Sequence, residues 1–187
     1  MFAWLDDRIR AAQAKSETLQ GIAFVCDLRP PALDAAVESC ESELQRFLPE
    51  SYREFLCLHD GGFIGLEIAL QGTTSTRGFQ IFGAAEVAAT TVRLADDLAP
   101  YALPPDAFDG LIVFADYGNS DICLFDATRG TGGEYPVLDG YHEAVGEWRD
   151  QVIAANFEQW LRQMLDAFIE REHSLAYWLE SPLKPQP

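Results

Sequence analysis

Apolar side chains recur at helical spacing close to both ends of the chain. Within residues 2–20, one side of a helical projection is apolar while the other sides carry charge, which predicts an amphipathic helix. The residues on that apolar side are Phe2, Leu5, Ile9 and Ala12. At residues 156–169, Asn156 offers a helix cap with Gln159 three positions on, and an apolar stripe follows. The stripe comprises Phe157, Trp160, Leu161, Met164, Leu165, Phe168 and Ile169. It indicates a helix that faces a core rather than a cofactor.

Two further helices are predicted between residues 33 and 60. The first has an apolar side made of Val37, Cys40, Leu44 and Phe47. Leu48 and Pro49 stop it, because proline lacks the backbone N–H and restricts the residue before it. The second begins at Pro49 and ends at the turn Asp60-Gly61-Gly62. Its apolar side consists of Tyr52, Phe55 and Leu56.

Short apolar runs bounded by turn residues predict strands over the middle of the chain. After a first short strand within 21–26, they lie at 63–66, 79–82, 111–114, 122–125 and 135–138. Residues 116–121 connect two of them tightly and predict a hairpin. Pro136 predicts that the last strand lies at a sheet edge, since proline cannot donate to the ladder. Between the second and third of these later runs there is room for one helix, with an apolar side of Val87, Val92 and Leu94.

The order of these elements predicts an α+β fold, with a mostly antiparallel sheet of short strands flanked by helices. A length of 187 residues fits one core. We interpret residues 1–31 as an N-terminal helical extension packed on that core, 32–170 as the main domain and 171–187 as a C-terminal tail.

Charge is the most unusual feature of the composition. The chain has 13 Lys and Arg against 30 Asp and Glu, a formal net charge of −17. Such a protein repels phosphate, which argues against nucleic acid and anionic membranes as partners. Two interpretations remain, solubility by self-repulsion or attraction of a basic partner. Residues 61–140 hold 11 acidic and 3 basic residues, so the strand region is strongly acidic.

The sequence offers no catalytic or metal-binding motif. The four cysteines are scattered without a CxxC pair, which indicates buried free thiols, and the three histidines are dispersed. Neither a GxSxG nucleophile turn nor a phosphate-binding loop is present. We therefore expect no enzyme activity, no cofactor and no metal. A cytoplasmic location is expected, because the N-terminus does not resemble a signal peptide and no apolar run reaches the roughly 20 residues of a membrane span.

Three aspartates surround the predicted hairpin, namely Asp116, Asp121 and Asp126. They invite comparison with a calcium site or an acid–base pair. Their spacing does not fit an EF-hand, and strand alternation divides them between two faces. Turn formation is the interpretation that we favour.

The motif order resembles that of the SMI1/KNR4 (SUKH) family. Residues 41–62 read ESELQRFLPESYREFLCLHDGG, the hairpin at 111–126 reads LIVFADYGNSDICLFD, and the helix with Phe157 and Trp160 closes the pattern. The residues that carry the motif, to which we assign structural roles, are Leu48, Pro49, Tyr52, Phe55, Leu56, Gly61, Gly62 and Trp160. Asp60 stands where the family usually has Asn, and residues 1–31 and 141–155 lie outside its common pattern.

The resemblance implies an α+β binding protein without catalytic residues. Bacterial members resemble immunity proteins that block cognate toxins, many of them nucleases, whereas fungal members act through protein partners in cell-wall synthesis. Our leading hypothesis is an immunity protein for a basic toxin. The predicted contacts are Asp116, Tyr117, Asp121, Glu134 and Asp139. The alternatives are a regulatory or scaffolding partner in cell-wall or stress pathways, and an enzyme or small-ligand binder with a cleft beside the sheet; the oligomeric state stays open.

Overall fold

The computed structural model describes residues 2–170 except Gln71, Ala102, Pro105 and Asn119. The α-helices are α1 (Leu5–Ser16), α2 (Asp34–Leu44), α3 (Glu50–Leu56), α4 (Ala84–Asp97) and α5 (Phe157–Glu170). The strands are β1 (Ile22–Leu28), β2 (Gly62–Leu70), β3 (Thr73–Ile81), β4 (Leu111–Asp116), β5 (Ile122–Asp126), β6 (Val137–Gly140) and β7 (Val152–Ala154). Helices and strands of this order confirm the predicted α+β class. The predicted tail, 171–187, lies outside the described residues.

The strands form one antiparallel sheet in which spatial order equals chain order, from β1 to β7. β2 and β3 pair along their whole length as a long hairpin. β3 meets β4 over a short register, Gln80↔Asp116 and Ile81↔Ala115, which one hydrogen bond from Phe82 N–H to the Phe114 carbonyl continues. The sheet therefore consists of two blocks, β1–β3 and β4–β7, joined by a short ladder.

The main core covers one face of this sheet and takes buried side chains from all five α-helices. The α5 stripe is buried as its spacing predicts, and Trp160 packs edge-on against Phe79 and Phe114. The predicted cap is present, since the N–H of Gln159 donates to Asn156 Oδ1 at 2.8 Å. Burial of such large side chains contributes about 1.5–3 kcal/mol each before the entropy of ordering is counted. This face supplies most of the hydrophobic stabilisation.

A smaller cluster covers the opposite face of β4–β6. It is formed by side chains from α4, the three strands and the segment after β6, namely Leu94, Leu111, Val113, Leu124, Leu138, Val145 and Trp148. The indole N–H of Trp148 donates to the carbonyl of Tyr141 at 2.9 Å. The central strands are thus buried on both faces, which explains their continuous apolar runs.

The N-terminal segment is built into the same core. β1 pairs with β2 from Ile22↔Ile68 to Leu28↔Gly62, and Phe2 packs edge-on against Phe55. The segment predicted as an extension therefore supplies an edge strand and a core helix.

Several sequence predictions about individual positions are wrong. Phe47 and Val92, predicted on apolar helix faces, are 73% and 60% exposed. Phe47 lies beyond the end of α2, where Gln45 adopts a left-handed backbone conformation (φ 53°) and redirects the chain. The strand after Pro136 is not at an edge, because β7 pairs with β6 on its far side.

Candidate protein-binding surface

The β4–β5 hairpin positions two of the predicted contact residues. The partly exposed carboxylate of Asp116 accepts a hydrogen bond from the backbone N–H of Gly118 and so shapes the turn. Tyr117 packs against the main core, and its hydroxyl accepts from Cys123 Sγ at 3.2 Å and lies 4.0 Å from Met164 Sδ. Burial raises the pKa of Tyr117 well above its usual value. The phenol is therefore protonated and turned inward.

Asp121, the next predicted contact, has only 1% of its surface exposed. Its Oδ1 accepts from the backbone N–H of His142 at 3.0 Å and lies 2.7 Å from Nδ1 of the same histidine. Asp139 on β6 pairs with Cys123 and is partly exposed. Asp121 thus fastens the chain after β6, whereas Asp139 keeps a surface position.

Glu134 crosses from the β5–β6 connection to the start of α3. Its carboxylate accepts from the backbone N–H of Ser51 at 2.8 Å and from the Ser51 hydroxyl at 2.7 Å. A carboxylate here satisfies an amide that the first helical turn leaves without a partner. The adjacent backbone of Gly133 accepts from the N–H of Glu50 at 3.0 Å.

The five predicted residues therefore do not form one surface. The strand register places Asp116, Tyr117, Asp121 and Asp139 at one end of β4–β6, while Glu134 precedes the opposite end of β6. Three of the five, Asp116, Asp121 and Glu134, carry their carboxylates in internal hydrogen bonds. Their contact with a partner stays a prediction.

The predicted motif residues lie inside the protein, where they join helices to the sheet. Tyr52 is fully buried, its ring centroid lies 4.9 Å from that of Phe157, and its hydroxyl donates to the carbonyl of Phe82 at 2.5 Å. Burial raises the pKa of Tyr52 well above its usual value, so the hydroxyl remains a donor. The other buried motif side chains are Leu48, Pro49, Phe55, Leu56 and Trp160.

The motif glycines sit where the chain passes from α3 to β2. Gly61 has a positive φ of 75°, and a Cβ there would lie 2.4 Å from the carbonyl oxygen of Ile81. Asp60 beside it accepts from the N–H of Ala84 at 2.8 Å and so caps α4. Gly62 has a φ of 142° and comes equally close to the β1 backbone. The turn requires glycine for conformation and for space.

Asp126, the third hairpin aspartate, is the centre of a buried polar network. Its Oδ1 accepts from Thr128 N at 3.0 Å and from Arg149 Nη1 at 2.8 Å, and its Oδ2 accepts from Arg129 Nε at 2.7 Å. Arg149 also donates to the carbonyl of Asp109 at 2.5 Å. Burial opposes the charge of Asp126, but hydrogen bonds from Thr128, Arg149 and Arg129 outweigh it and lower its pKa. This network anchors the segment between β6 and β7.

A surface groove lies between α2 and α3 and has a volume of about 640 Å³. Its lining residues are Asp34, Val37, Glu38, Glu50, Arg53, Glu54, Cys57 and Leu58. Four of them are acidic and one is basic. The basic residue, Arg53, has its Nε 3.2 Å from Glu41 Oε1, so its charge is already partnered. The groove is therefore electronegative.

Large apolar side chains flank this groove. Leu33 and Leu58 are 77% and 47% exposed, and Leu58 lines the groove itself. A second depression of about 400 Å³ adjoins it at Glu38 and is lined by Phe47, whose carbonyl accepts from the Tyr135 hydroxyl at 3.0 Å. We call the groove together with Leu33, Phe47 and Leu58 the α2–α3 surface. Exposed apolar side chains beside charge are typical of protein interfaces.

The comparison with family models identifies the protein's relatives. Residues 31–163 match the SMI1 / KNR4 family (SUKH-1). The chain belongs to this family. A comparison with curated proteins finds no match. In this SMI1/KNR4 protein, the matched range begins just after β1 and includes the α2–α3 surface, both central hairpins and the first half of α5. It also includes residues 141–155, which the resemblance placed outside the common pattern.

Positive charge on this SMI1/KNR4 protein is largely partnered. Of the eleven Lys and Arg within the described residues, seven pair with carboxylates: Arg8, Arg10, Arg29, Arg53, Arg129, Arg149 and Arg162. Arg29, for example, lies 2.5 Å from Glu86. Pairing leaves the surplus of carboxylates as the dominant charge of the surface.

No cysteine of this SMI1/KNR4 protein forms a disulfide, and two depart from the predicted burial, because Cys26 is partly exposed and Cys57 is exposed. Burial raises the pKa of Cys26 to about 11 and that of Cys40 to about 12. Cys123 is also buried. Cys57 is instead exposed in the α2–α3 groove, because it follows the last residue of α3.

Within the described part of the chain, no three His, Cys, Asp or Glu side chains are arranged to hold a metal ion. In the same residues, no helix has the length and apolar character to cross a bilayer.

The α2–α3 surface was missed by sequence reasoning. Helical spacing correctly predicts that Val37 and Cys40 face inward, but it does not reveal that a second short helix leaves a groove beside them. The sequence feature that could have indicated this surface is the large number of Asp and Glu residues between positions 34 and 54, more than the two predicted helices need for capping.

Proposed function

We propose that this SMI1/KNR4 protein is an immunity protein that binds a cognate bacterial toxin and neutralises it by contact, without catalysis of its own. The observation that carries the proposal is the imbalance of surface charge. Seven described arginines are paired with carboxylates, while the chain keeps a net charge of −17. Family membership supports a protein as the partner.

The charge favours a basic toxin. A toxin that cleaves nucleic acid needs a positive surface to bind phosphate, and an acidic inhibitor complements that surface. Complementary charge accelerates association by roughly 10–10³-fold. The same charge repels nucleic acids and anionic membranes, so the proposed partner is a protein met in the cytoplasm of the producing cell.

Growth rescue tests this proposal. The toxin domain encoded next to the gene for this chain is expressed in a heterologous bacterium with the chain or with an empty vector. We expect growth only when the chain is co-expressed, while a toxin domain of another specificity stays lethal. Continued toxicity in the presence of soluble, folded chain would reject the proposal.

A further inference from the structure

We infer that the α2–α3 surface is where the toxin docks, and that its occupant is a toxin segment in which Lys or Arg side chains flank an apolar one. This inference rests on the proposed function and adds the location and chemistry of the contact. Two features of the surface carry it: carboxylates on both walls of a groove, and apolar side chains at its edges.

The carboxylates come from both helices. Asp34 and Glu38 lie on α2, and Glu50 and Glu54 lie on α3, so a cation that enters the groove meets negative charge from two sides. The one guanidinium that lines the groove is directed to Glu41. A Lys or Arg from a partner therefore finds carboxylates rather than a competing cation.

The apolar residues define the rest of the occupant. Leu33, Phe47 and Leu58 account for three of the seven large apolar side chains that are strongly exposed within the described residues. Phe47 is held in place through its backbone by Tyr135. Aromatic side chains that a partner covers commonly dominate binding energy. An occupant of purely basic character would leave these side chains in water.

The end of the sheet that carries Asp116 and Asp139 is the competing location. There the neighbouring Asp121 is buried against His142, and Tyr117 is turned toward the core. Asp121 and Tyr117 are therefore directed into the protein rather than toward a partner. The α2–α3 surface combines exposed charge with exposed apolar area, and this combination decides between the two.

Binding measurements on surface variants test the inference. The probe is the purified toxin domain encoded beside the gene, and the test variants are Glu38→Lys, Phe47→Ser and Leu33→Ser. Leu33 occupies the N-cap of α2 without a capping side chain, so serine there supports the helix while it removes the apolar group. The matched controls are Glu67→Lys on β2 and Val152→Ser on β7, both exposed.

We expect each test variant to raise Kd on the order of tenfold or more, with an unchanged melting curve. The controls should stay within about twofold. Hydrogen exchange on the complex should show protection of peptides from α2 and α3. Unchanged Kd for all three folded test variants, or a selective loss for Asp139→Asn, would overturn the inference. Neither result affects the proposed function, which the growth-rescue experiment with the wild-type chain tests separately. Failure of the wild-type chain to rescue growth would reject the proposed function itself.

Discussion

Replacement of Asp126 by alanine tests the polar network that fixes the segment between β6 and β7. The carboxylate is fully buried and receives hydrogen bonds from Thr128, Arg129 and Arg149. Alanine removes the carboxylate that the guanidiniums of Arg129 and Arg149 share. It also releases Arg149, which otherwise bridges to the carbonyl of Asp109.

The expected loss of stability depends on how deeply Asp126 and its two arginine partners are buried. Removal of one partner from a buried ion pair costs about 3–5 kcal/mol when the other charge stays buried. Here the side chains of Arg129 and Arg149 are 43% and 34% exposed, so water hydrates them in the variant. We therefore expect Asp126→Ala to lower the free energy of unfolding by about 2–3 kcal/mol.

Urea unfolding followed by circular dichroism at pH 7 measures this loss. The control is Asp97→Ala at the exposed end of α4, for which we expect a change within about 0.5 kcal/mol. A loss of less than about 1 kcal/mol for Asp126→Ala would refute the reasoning, because it would mean that the network adds no more than a surface contact.

The same pair of proteins makes a pH prediction. The pKa of Asp126 is lower in the folded protein than in the unfolded chain, where aspartate has a pKa of about 3.9. Its stabilisation is therefore complete above that value and is lost as pH falls through the lower folded pKa. The stability gap between wild type and Asp126→Ala should stay constant from pH 7 to about 5 and shrink below about 4. If the stability difference between the two proteins instead widens as pH falls, the pKa of Asp126 is not lowered by folding.

Four further predictions concern single positions. Gly61→Ala should lower the free energy of unfolding by about 3 kcal/mol, because a Cβ there meets the backbone of a neighbouring strand. Gly72→Ala, at a similar φ but with open space around it, should lower it by about 1 kcal/mol. Equal losses in the two variants would exclude the close backbone approach at Gly61. Tyr52→Phe should cost about 1–2 kcal/mol in urea unfolding, because it removes a buried hydrogen bond; no change would argue against that bond. Gln45→Gly should raise stability by about 0.5 kcal/mol by relief of the left-handed backbone, and a loss would contradict the φ assigned there. Cys57 should react with a disulfide reagent at pH 8 roughly tenfold faster than the buried thiols of Cys40 and Cys123, and equal rates would disprove that burial.

The sequence predicts the helices of this fold better than its sheet. The α5 stripe and the α3 turn follow from strong local signals, periodicity in one case and Gly61-Gly62 in the other. The β2–β3 hairpin is longer than predicted, because Thr73–Ile81 begins with polar residues exposed on both faces. β7 is only three residues long and has no apolar pattern of its own. Such strands form because a neighbouring strand offers backbone partners, which a local pattern does not show.

The candidate surface is predicted less well, because exposure depends on tertiary packing. Asp121 and Glu134 look like surface acids in a linear sequence, but the fold brings His142 and Ser51 to their carboxylates. Phe47 looks like a core residue by spacing, but the end of α2 turns it outward. In each case the deciding contact comes from a distant segment or from a single backbone angle.

We propose above that this SMI1/KNR4 protein neutralises a basic toxin through electrostatic and apolar contact. The most direct measurement is the association rate of the purified chain with the neighbouring toxin domain across a series of salt concentrations. We predict a stable complex whose association slows steeply as salt rises, while its dissociation rate changes little. Absence of a complex at low salt, or an association rate independent of salt, would contradict the account.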